Sequence, residues 1–287
     1  SYTFPEPAAR ALARAARYAE WKNRPEGEIV QFDDLDVAAA QQVIWDALPR
    51  LGADGGWLEP DEAEAVLAAF GIRQAASQVA ATRAEAITAA EEIGGSVVLK
   101  VIAPSALHKS DVGGIILDVE GADEVGKAFD QVTSVVDDAE GALVQEFVGE
   151  GHEVIVGMTE DPAFGPLIAF GLGGVFVELI GDVAFRIHPL TDLDADEMIG
   201  EVKSAKLLDG YRGGPAGDIP ALKETLLRLS ALVEELPEVA EFDLNPVKVM
   251  EPGDGLRVVD LRMRVRPVPQ RWLPSRKDIP AARMRGR

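Results

Sequence analysis

The stretch VVLKVIAPSALHKSDVGGIIL, residues 97–117, decides the fold. Its apolar start reads as a strand over 96–102, and Ile115 opens a second strand over 115–119. Lys100 lies inside the first of them. An ammonium group is costly to bury unless it meets an anion, so this lysine calls for a carboxylate or a phosphate. Taken alone, it is better served by snorkelling from an edge strand. The loop between the strands holds His108, one of three histidines in the chain, and ends in Gly113-Gly114, which frees the backbone to move or to approach a ligand. Imidazole is a competent nucleophile near neutral pH and can carry a transferred group. A lone loop histidine is more often just solvated.

Strands and helices alternate outward from this stretch. Helices over 60–70 and 82–93 precede it. A helix over 122–137 follows, then strands over 142–148, 153–159, 166–170 and 183–187, helices over 193–201 and 221–236, and strands over 242–250 and 256–261. Such alternation implies an α/β (α+β) fold. Further upstream an alanine-rich helix runs from Pro5 to Trp21 and is stopped by Asn23-Arg24-Pro25-Glu26-Gly27. A short strand, Glu28 to Phe32, leads to a helix from Asp36 to Leu48 and a connector at Leu51 to Gly56. Residues 1–52 are therefore expected to be a helical appendage or a linker from a preceding domain.

Composition bounds the function classes. The chain has 287 residues, 47% of them hydrophobic, and no cysteine. That length accommodates one large domain or two ordinary ones around a sizeable core, which excludes disorder throughout. Zero cysteines remove disulfides, thiolate-bound zinc and cysteine nucleophiles, and the cytoplasm is the expected location. No run approaches the roughly 20 apolar residues of a membrane span, and Pro5, Pro7 and Arg10 stand where a signal peptide would place its apolar stretch. The formal charge of −21 repels a phosphate backbone, so neither nucleic acid nor a membrane is an expected partner. Residues 262–287 differ in kind: nine basic side chains against one acidic give +8, leaving −29 on residues 1–261. With four prolines as well, this tail reads as an extended arm that associates with the acidic remainder of the chain.

Two more clusters bear on chemistry. Gly165-Pro-Leu-Ile-Ala-Phe-Gly171-Leu-Gly173-Gly174 is a strand running into a glycine-rich turn, where bared backbone amides can form an anion nest. It is neither a Walker A sequence nor a dinucleotide fingerprint, and a tight hairpin explains it equally well. Arg186, in the next apolar strand, suits stabilisation of charge on a phosphoryl group. Further on, Asp243-Leu-Asn245-Pro-Val-Lys-Val-Met250 turns through Glu251 to Gly255 into Leu256-Arg-Val-Val-Asp260. A turn centred between Pro252 and Gly253 puts Asn245 almost directly across from Asp260. An amide oxygen beside a carboxylate suits Mg²⁺, which takes few protein ligands and fills its shell with phosphates and water. A surface hairpin with polar positions facing water is the plain alternative. Lysine, glycine nest, arginine and magnesium pair together are the parts of nucleotide phosphoryl transfer.

These segments also carry a resemblance. VVLKVIAPSALHKSDVGGIIL, LVQEFV (143–148), HEVIVGMTEDPAFGPLIAFGLGGVFVEL (152–179), DVAFRIHPL (182–190), LLDGYRGGP (207–215) and DLNPVKV with VVD (243–260) resemble the ATP-grasp domain of NDP-forming (ADP-forming) acyl-CoA synthetases. These are relatives of the succinyl-CoA synthetase β subunit, and the likeness spans roughly residues 60–262. So many ordered matches are specific where each motif alone is not.

The resemblance implies an ATP-grasp fold of two α/β subdomains, residues 53–143 and 144–262, with ATP or ADP and Mg²⁺ between them and a basic tail over 263–287. It implies that Lys100 contacts nucleotide phosphates, that Glu146, Phe147 and Val148 line the adenine edge, and that Glu153 sits near the ribose and phosphates. Gly171, Gly173 and Gly174 would cradle the nucleotide, Asn245 and Asp260 would hold Mg²⁺, and Arg186 would face the transferred phosphoryl group. His108 matches the histidine of the family's mobile loop, held to take phosphate from a phosphohistidine on another domain and pass it to ADP. The implied reaction is acyl-CoA + ADP + phosphate ⇌ acid + CoA + ATP. The CoA-binding domain and the first phosphohistidine are expected on an upstream part of the chain or on a partner subunit, so acyl-CoA is met only indirectly. A start at Ser-Tyr-Thr points to a piece of a longer chain. Two other classes stay open: a nucleotide- or acyl-CoA-sensing regulatory domain of a protein lysine acetyltransferase, and an ATP-grasp ligase joining a carboxylate to an amine, against which the HKSDVGG loop argues.

Overall fold

The computed structural model describes residues 5–103, 113–173 and 181–268. In chain order the first elements are α1 (Pro5–Lys22), α2 (Val37–Leu51), β1 (Gly56–Trp57), α3 (Pro60–Ala69), β2 (Ser77–Ala80) and α4 (Arg83–Ile93). Then come β3 (Val97–Ile102), β4 (Ile115–Val119), α5 (Ala122–Thr133), β5 (Gly141–Glu146), β6 (His152–Asp161), β7 (Gly165–Leu172) and β8 (Val183–Ile187). The last are α6 (Asp192–Glu201), α7 (Ile219–Glu235), β9 (Val239–Val249), β10 (Leu256–Val258) and β11 (Leu261–Val265).

Two sheets, each with its own apolar core, organise these elements. The smaller has the order β2-β5-β3-β4 and is antiparallel throughout. Val97, Leu99 and Val101 of β3 are fully buried in a core that includes Ala86 and Ala89 of α4 and Val125 and Phe129 of α5. By the two-residue period of a strand, Lys100 then belongs to the opposite face. It pairs with Leu143 of β5 on one side and Ile115 of β4 on the other. β3 is therefore central, and snorkelling from an edge strand no longer accounts for the lysine.

The larger sheet runs β1-β11-β9-β6-β7-β8, with β10 also paired to β9. Its covered face packs under α6 and α7 through Val154, Val156, Ile168, Phe170, Phe242 and Leu244. The same core holds Ala40, Ile44 and Ala47 of α2, Val66 and Leu67 of α3, and Phe70. This corrects the expected division at 52 and 143. Residues 36–75 belong to the larger body, and the smaller body runs from 76 to 147.

Hydrogen bonding explains where the boundary falls. Ala75 N–H donates to Val258 O of the larger body at 2.9 Å, whereas the next residue, Ala76, accepts from Glu146 N–H of the smaller at 2.8 Å. Only α1 answers to the expected appendage, with Leu12 72% exposed. The expected strand at 28–32 is irregular backbone instead. Glu28 N–H donates to Asp192 Oδ1 at 2.7 Å, and Asp34 is clamped by Arg228 of α7 at 2.8 Å, so side chains remote in sequence fasten this segment in place of a ladder. The four-residue β2 was not expected. β11 also carries the sheet to Val265, three residues into the expected tail.

Candidate functional site

A cleft of about 480 Å³, the size of a small-molecule site, lies between the two bodies. Lys100, Leu143 and Gln145 line it from the smaller sheet, Val259 and Asp260 from the larger, and Glu64 from α3. Lys100 thus opens onto the side where an anion could meet it. Its charge acts on the carboxylate of Glu64. The Glu64 carboxylate accepts from Ser77 Oγ at 2.8 Å. Burial raises its pKa, outweighing the opposing pull of Ser77 and of the Lys100 charge.

The hairpin has the expected register. Leu256 pairs with Val249, Arg257 with Lys248 and Val258 with Val247, and the same register resumes with Leu261 against Leu244. The ladder breaks between, because Pro246 has no N–H to donate. Val259 N–H donates to Pro246 O at 3.0 Å, and Asn245 N–H donates to Asp260 O at 3.1 Å. Asn245 and Asp260 therefore stand opposite each other, both exposed. Asp243, two residues before Asn245, joins them. Partial desolvation, and then the nearby Asp260 charge, push its carboxyl above the ordinary carboxylate range. Two crowded carboxylates beside an amide oxygen suit a divalent cation, which would relieve their repulsion. Among the described residues no group of three or more His, Cys, Asp or Glu side chains is placed to hold a metal. Asp243, Asn245 and Asp260 would offer Mg²⁺ two carboxylates and an amide oxygen, a set that phosphate and water would complete.

Other expected residues fall outside this cleft. Arg186 pairs with Ile168, whose side chain is fully buried on the helix-covered face. Its guanidinium meets Glu201 of α6 at 2.7 Å and Glu197 at 3.5 Å. It is thus on the wrong face for a transferred phosphoryl group. Gly171 is a ladder residue of β7, between Ile155 and Val183. The N–H of Gly173 donates to Glu153 O at 2.7 Å, and a Cβ there would meet the Glu153 Cβ at 3.1 Å. A Cβ on Gly171 would meet Asp182 O at 3.0 Å, so these two glycines permit close approach of the neighbouring chain on either side of β7. Gly174 and His108 lie outside the described residues.

Glu153 is on the open face of the larger sheet, ion-paired to Lys248 at 3.0 Å. Glu146, Phe147 and Val148 form the crossover between the bodies. Glu146 Oε2 accepts from Ala76 N–H at 3.1 Å, and Phe147 N–H donates to Ser96 O at 3.0 Å. The two described histidines have structural partners. His152 Nε2 is 2.9 Å from Pro215 O, and His188 Nε2 is 3.0 Å from Glu234.

A family model described as the ATP-grasp domain matches residues 50–265. The chain belongs to the ATP-grasp domain family. This ATP-grasp chain is 44% identical over 265 residues to the acetate–CoA ligase [ADP-forming] I of Archaeoglobus fulgidus, covering 90% of the chain and 38% of that protein. It spans well under half of that relative. It is 39% identical over 233 residues to the β subunit of the acetate–CoA ligase [ADP-forming] I of Pyrococcus furiosus, covering 79% of the chain and 98% of that subunit. The ATP-grasp domains of ADP-forming acyl-CoA synthetases are thus its branch of the family. The dinucleotide-forming acetyl-coenzyme A synthetase 1 of Ca. Korarchaeum cryptofilum superposes with a TM-score of 0.70 at 40% identity, covering 79% of the chain and all of that one. That structure is in complex with coenzyme A and Mg-AMPPCP, its phosphohistidine segment pointing towards the nucleotide binding site.

Within this ATP-grasp domain, two cleft residues, Glu64 and Gln145, and Asp243 beside Asp260 escaped the sequence reading. Asp243 was within reach of it, since a strand returns to the same face every second residue and Asn245 was already chosen. Glu64 and Gln145 gave no signal, because only the fold brings α3 and β5 to the hairpin. No helix among the described residues is long and apolar enough to cross a membrane.

Proposed function

We propose that this chain is the nucleotide-binding, phosphoryl-transfer part of an ADP-forming acyl-CoA synthetase. Its partners are a CoA-binding domain and a phosphohistidine domain carried on another part of the chain or on another subunit. The observation that carries this reading is the presence of Lys100 and Asp260 in one cleft between two separately cored bodies. In that geometry the Lys100 ammonium neutralises non-bridging phosphate oxygens from the smaller body. Asn245, Asp260 and Asp243 offer the oxygens for Mg²⁺ from the larger. When bound, Mg²⁺ supplies the remaining charge neutralisation and fixes the terminal phosphate. Glu146 to Val148, at the crossover, meet the edge of the base, and Glu153, steadied by Lys248, faces the sugar and phosphates.

His108 is the carrier in this reading. Its imidazole nitrogen takes a phosphoryl group from the phosphohistidine of the partner domain, releasing that imidazole, and then yields it to a terminal oxygen of ADP, forming ATP. The ligase names of the relatives and the orientation of the phosphohistidine segment in the Korarchaeum structure support this relay. The test is exchange of phosphate between partner and ADP in the reassembled enzyme. His108→Ala should keep Mg-ADP binding and abolish exchange, while His152→Ala and His188→Ala retain it. Full exchange in His108→Ala would remove the carrier.

A further inference from the structure

Another cavity, of about 390 Å³, lies beside α7 and shares no lining residue with the cleft. Val30 and Phe32 line it from the segment before α2, Leu227 and Ala231 from α7, and Leu190 from the chain between β8 and α6. The charged side chains of its lining are Glu234 and Glu235, the last two residues of α7. His188 meets the first of them, but no lysine or arginine lines the cavity. A helix C-terminus already carries negative partial charge, and this one has no basic side chain in its last turn, so cations are favoured there. The segment before α2 adds a second feature. Among the described residues the main-chain groups of Ile29 to Phe32 make no hydrogen bond within the chain, although their composition is that of a strand. A free strand edge, an apolar cavity and an acidic rim together fit an extended segment with apolar and basic side chains.

Residues 269–287, outside the described residues, have that composition: six basic side chains against one acidic, with Trp272, Leu273 and Ile279. Leu273 and Ile279 each precede a proline, which favours extended backbone. The described chain also leads towards the cavity. Arg266 N–H donates to Glu238 O at 2.9 Å, three residues past Glu235. Arg266 is ion-paired to Glu160, which pairs with Pro166, and Pro166 O accepts from the N–H of His188, next to Pro189 of the cavity lining. The six residues from Arg266 to Trp272 reach up to roughly 20 Å when extended, against about 10 Å for the three from Glu235 to Glu238. We propose that residues 269–287 dock in this cavity, Trp272 and Leu273 filling it, their main chain adding to Ile29–Phe32, and Arg271, Arg276 and Lys277 meeting the acidic rim.

Disulfide trapping on the full chain tests it. The chain has no cysteine, so Gln31→Cys with Leu273→Cys supplies the only two thiols. Leu117→Cys with Leu273→Cys is the control, because Leu117 is exposed, as Gln31 is, but lies on β4 of the smaller body. Under a mild oxidant the first pair should close within one chain about tenfold faster than the control, since docking raises the effective concentration of one thiol beside the other. Trp272→Ser, a change outside both cores, should slow that closure about tenfold by emptying the cavity. Salt at about 0.5 M should slow it severalfold by screening the rim. Equal rates for the two pairs overturn the proposal, and so does closure that neither Trp272→Ser nor salt alters. A disulfide between two chains, lost on dilution, overturns it in favour of a second copy as the occupant. No disulfide in either pair overturns it as well, and leaves the cavity to a separate partner.

Discussion

A lysine on a central strand, with a packed core behind it, has one direction in which to find an anion. Lys100 takes that direction into the cleft, while Arg186, also inside an apolar strand, is turned the other way onto the acids of α6. Their substitutions should therefore separate. Lys100→Met should weaken Mg-ADP binding by tenfold or more, because a phosphate contact made in a partly desolvated cleft is lost. Arg186→Gln should leave it within about twofold, since an ion pair open to solvent on the far face contributes little. Isothermal titration of both variants checks the pair. Equal losses would mean that the guanidinium leaves α6 when nucleotide binds. At Asp260 the expectation concerns the metal. Asp260→Ala should abolish the Mg²⁺ dependence of ADP binding, because Asn245 and Asp243 alone offer too little charge to hold the cation beside a diphosphate. Retained dependence would move the metal elsewhere.

The hairpin of β9 with β10 and β11 shows what elements disclose before a structure is known. Its register was legible because Pro252 and Gly253 mark the turn and every pairing follows from that centre. Which face is buried was not legible for β8, where Phe185 and Ile187 are exposed and Arg186 sits over the helix side. Hydrophobicity pointed inward there, and only the distant acids of α6 make the reverse arrangement tolerable. β2 was equally hidden, since Ser77 and Gln78 are polar and Val79 is exposed. The hairpin turn is held by Asp218, the N-cap of α7. Its carboxylate accepts from Ala221, Gly253 and Gly255 N–H at 3.1, 2.9 and 3.0 Å. Burial alone would raise its pKa, but these three donors outweigh burial and hold it below the ordinary carboxylate value. A depressed native pKa means that the stabilisation is full above the unfolded value and is lost as pH falls through the native one. Asp218→Ala should thus cost about 2 kcal/mol at neutral pH. The gap to the unaltered chain should close only below about pH 4. Urea melts across pH read this directly, and a gap that closes near pH 6 would point to a different titrating group.

At the scale of the whole molecule, the smaller body meets the larger at a seam made by the hydrogen bonds of Ser77 with Glu64 and of Gln145 with Val259, and by the two chain crossovers at Ala75–Ala76 and Phe147–Val148. Among the described residues the two cores share no buried residue. Local opening of the smaller body is then cheaper than global unfolding, and a ligand gripped by both bodies becomes part of what holds them together. Leu99→Ala tests this, because Leu99 is fully buried in the smaller core and its truncation should cost about 3 kcal/mol there. Amide exchange should accelerate in β3 and β5 and stay unchanged in β6 and β9. Mg-ADP at a hundred times its dissociation constant adds about 2.7 kcal/mol to any state that must be folded to bind it. With nucleotide gripped, as proposed, by Lys100 from one body and Asp260 from the other, that increment should return most of the lost protection to β3 and β5. Acceleration spread equally over β6 and β9 would instead show one cooperative unit, with the seam stronger than its few hydrogen bonds suggest. Protection unchanged by Mg-ADP in the smaller body would show that nucleotide is held by the larger body alone, and the cleft would then be an entrance to the site and not the site itself.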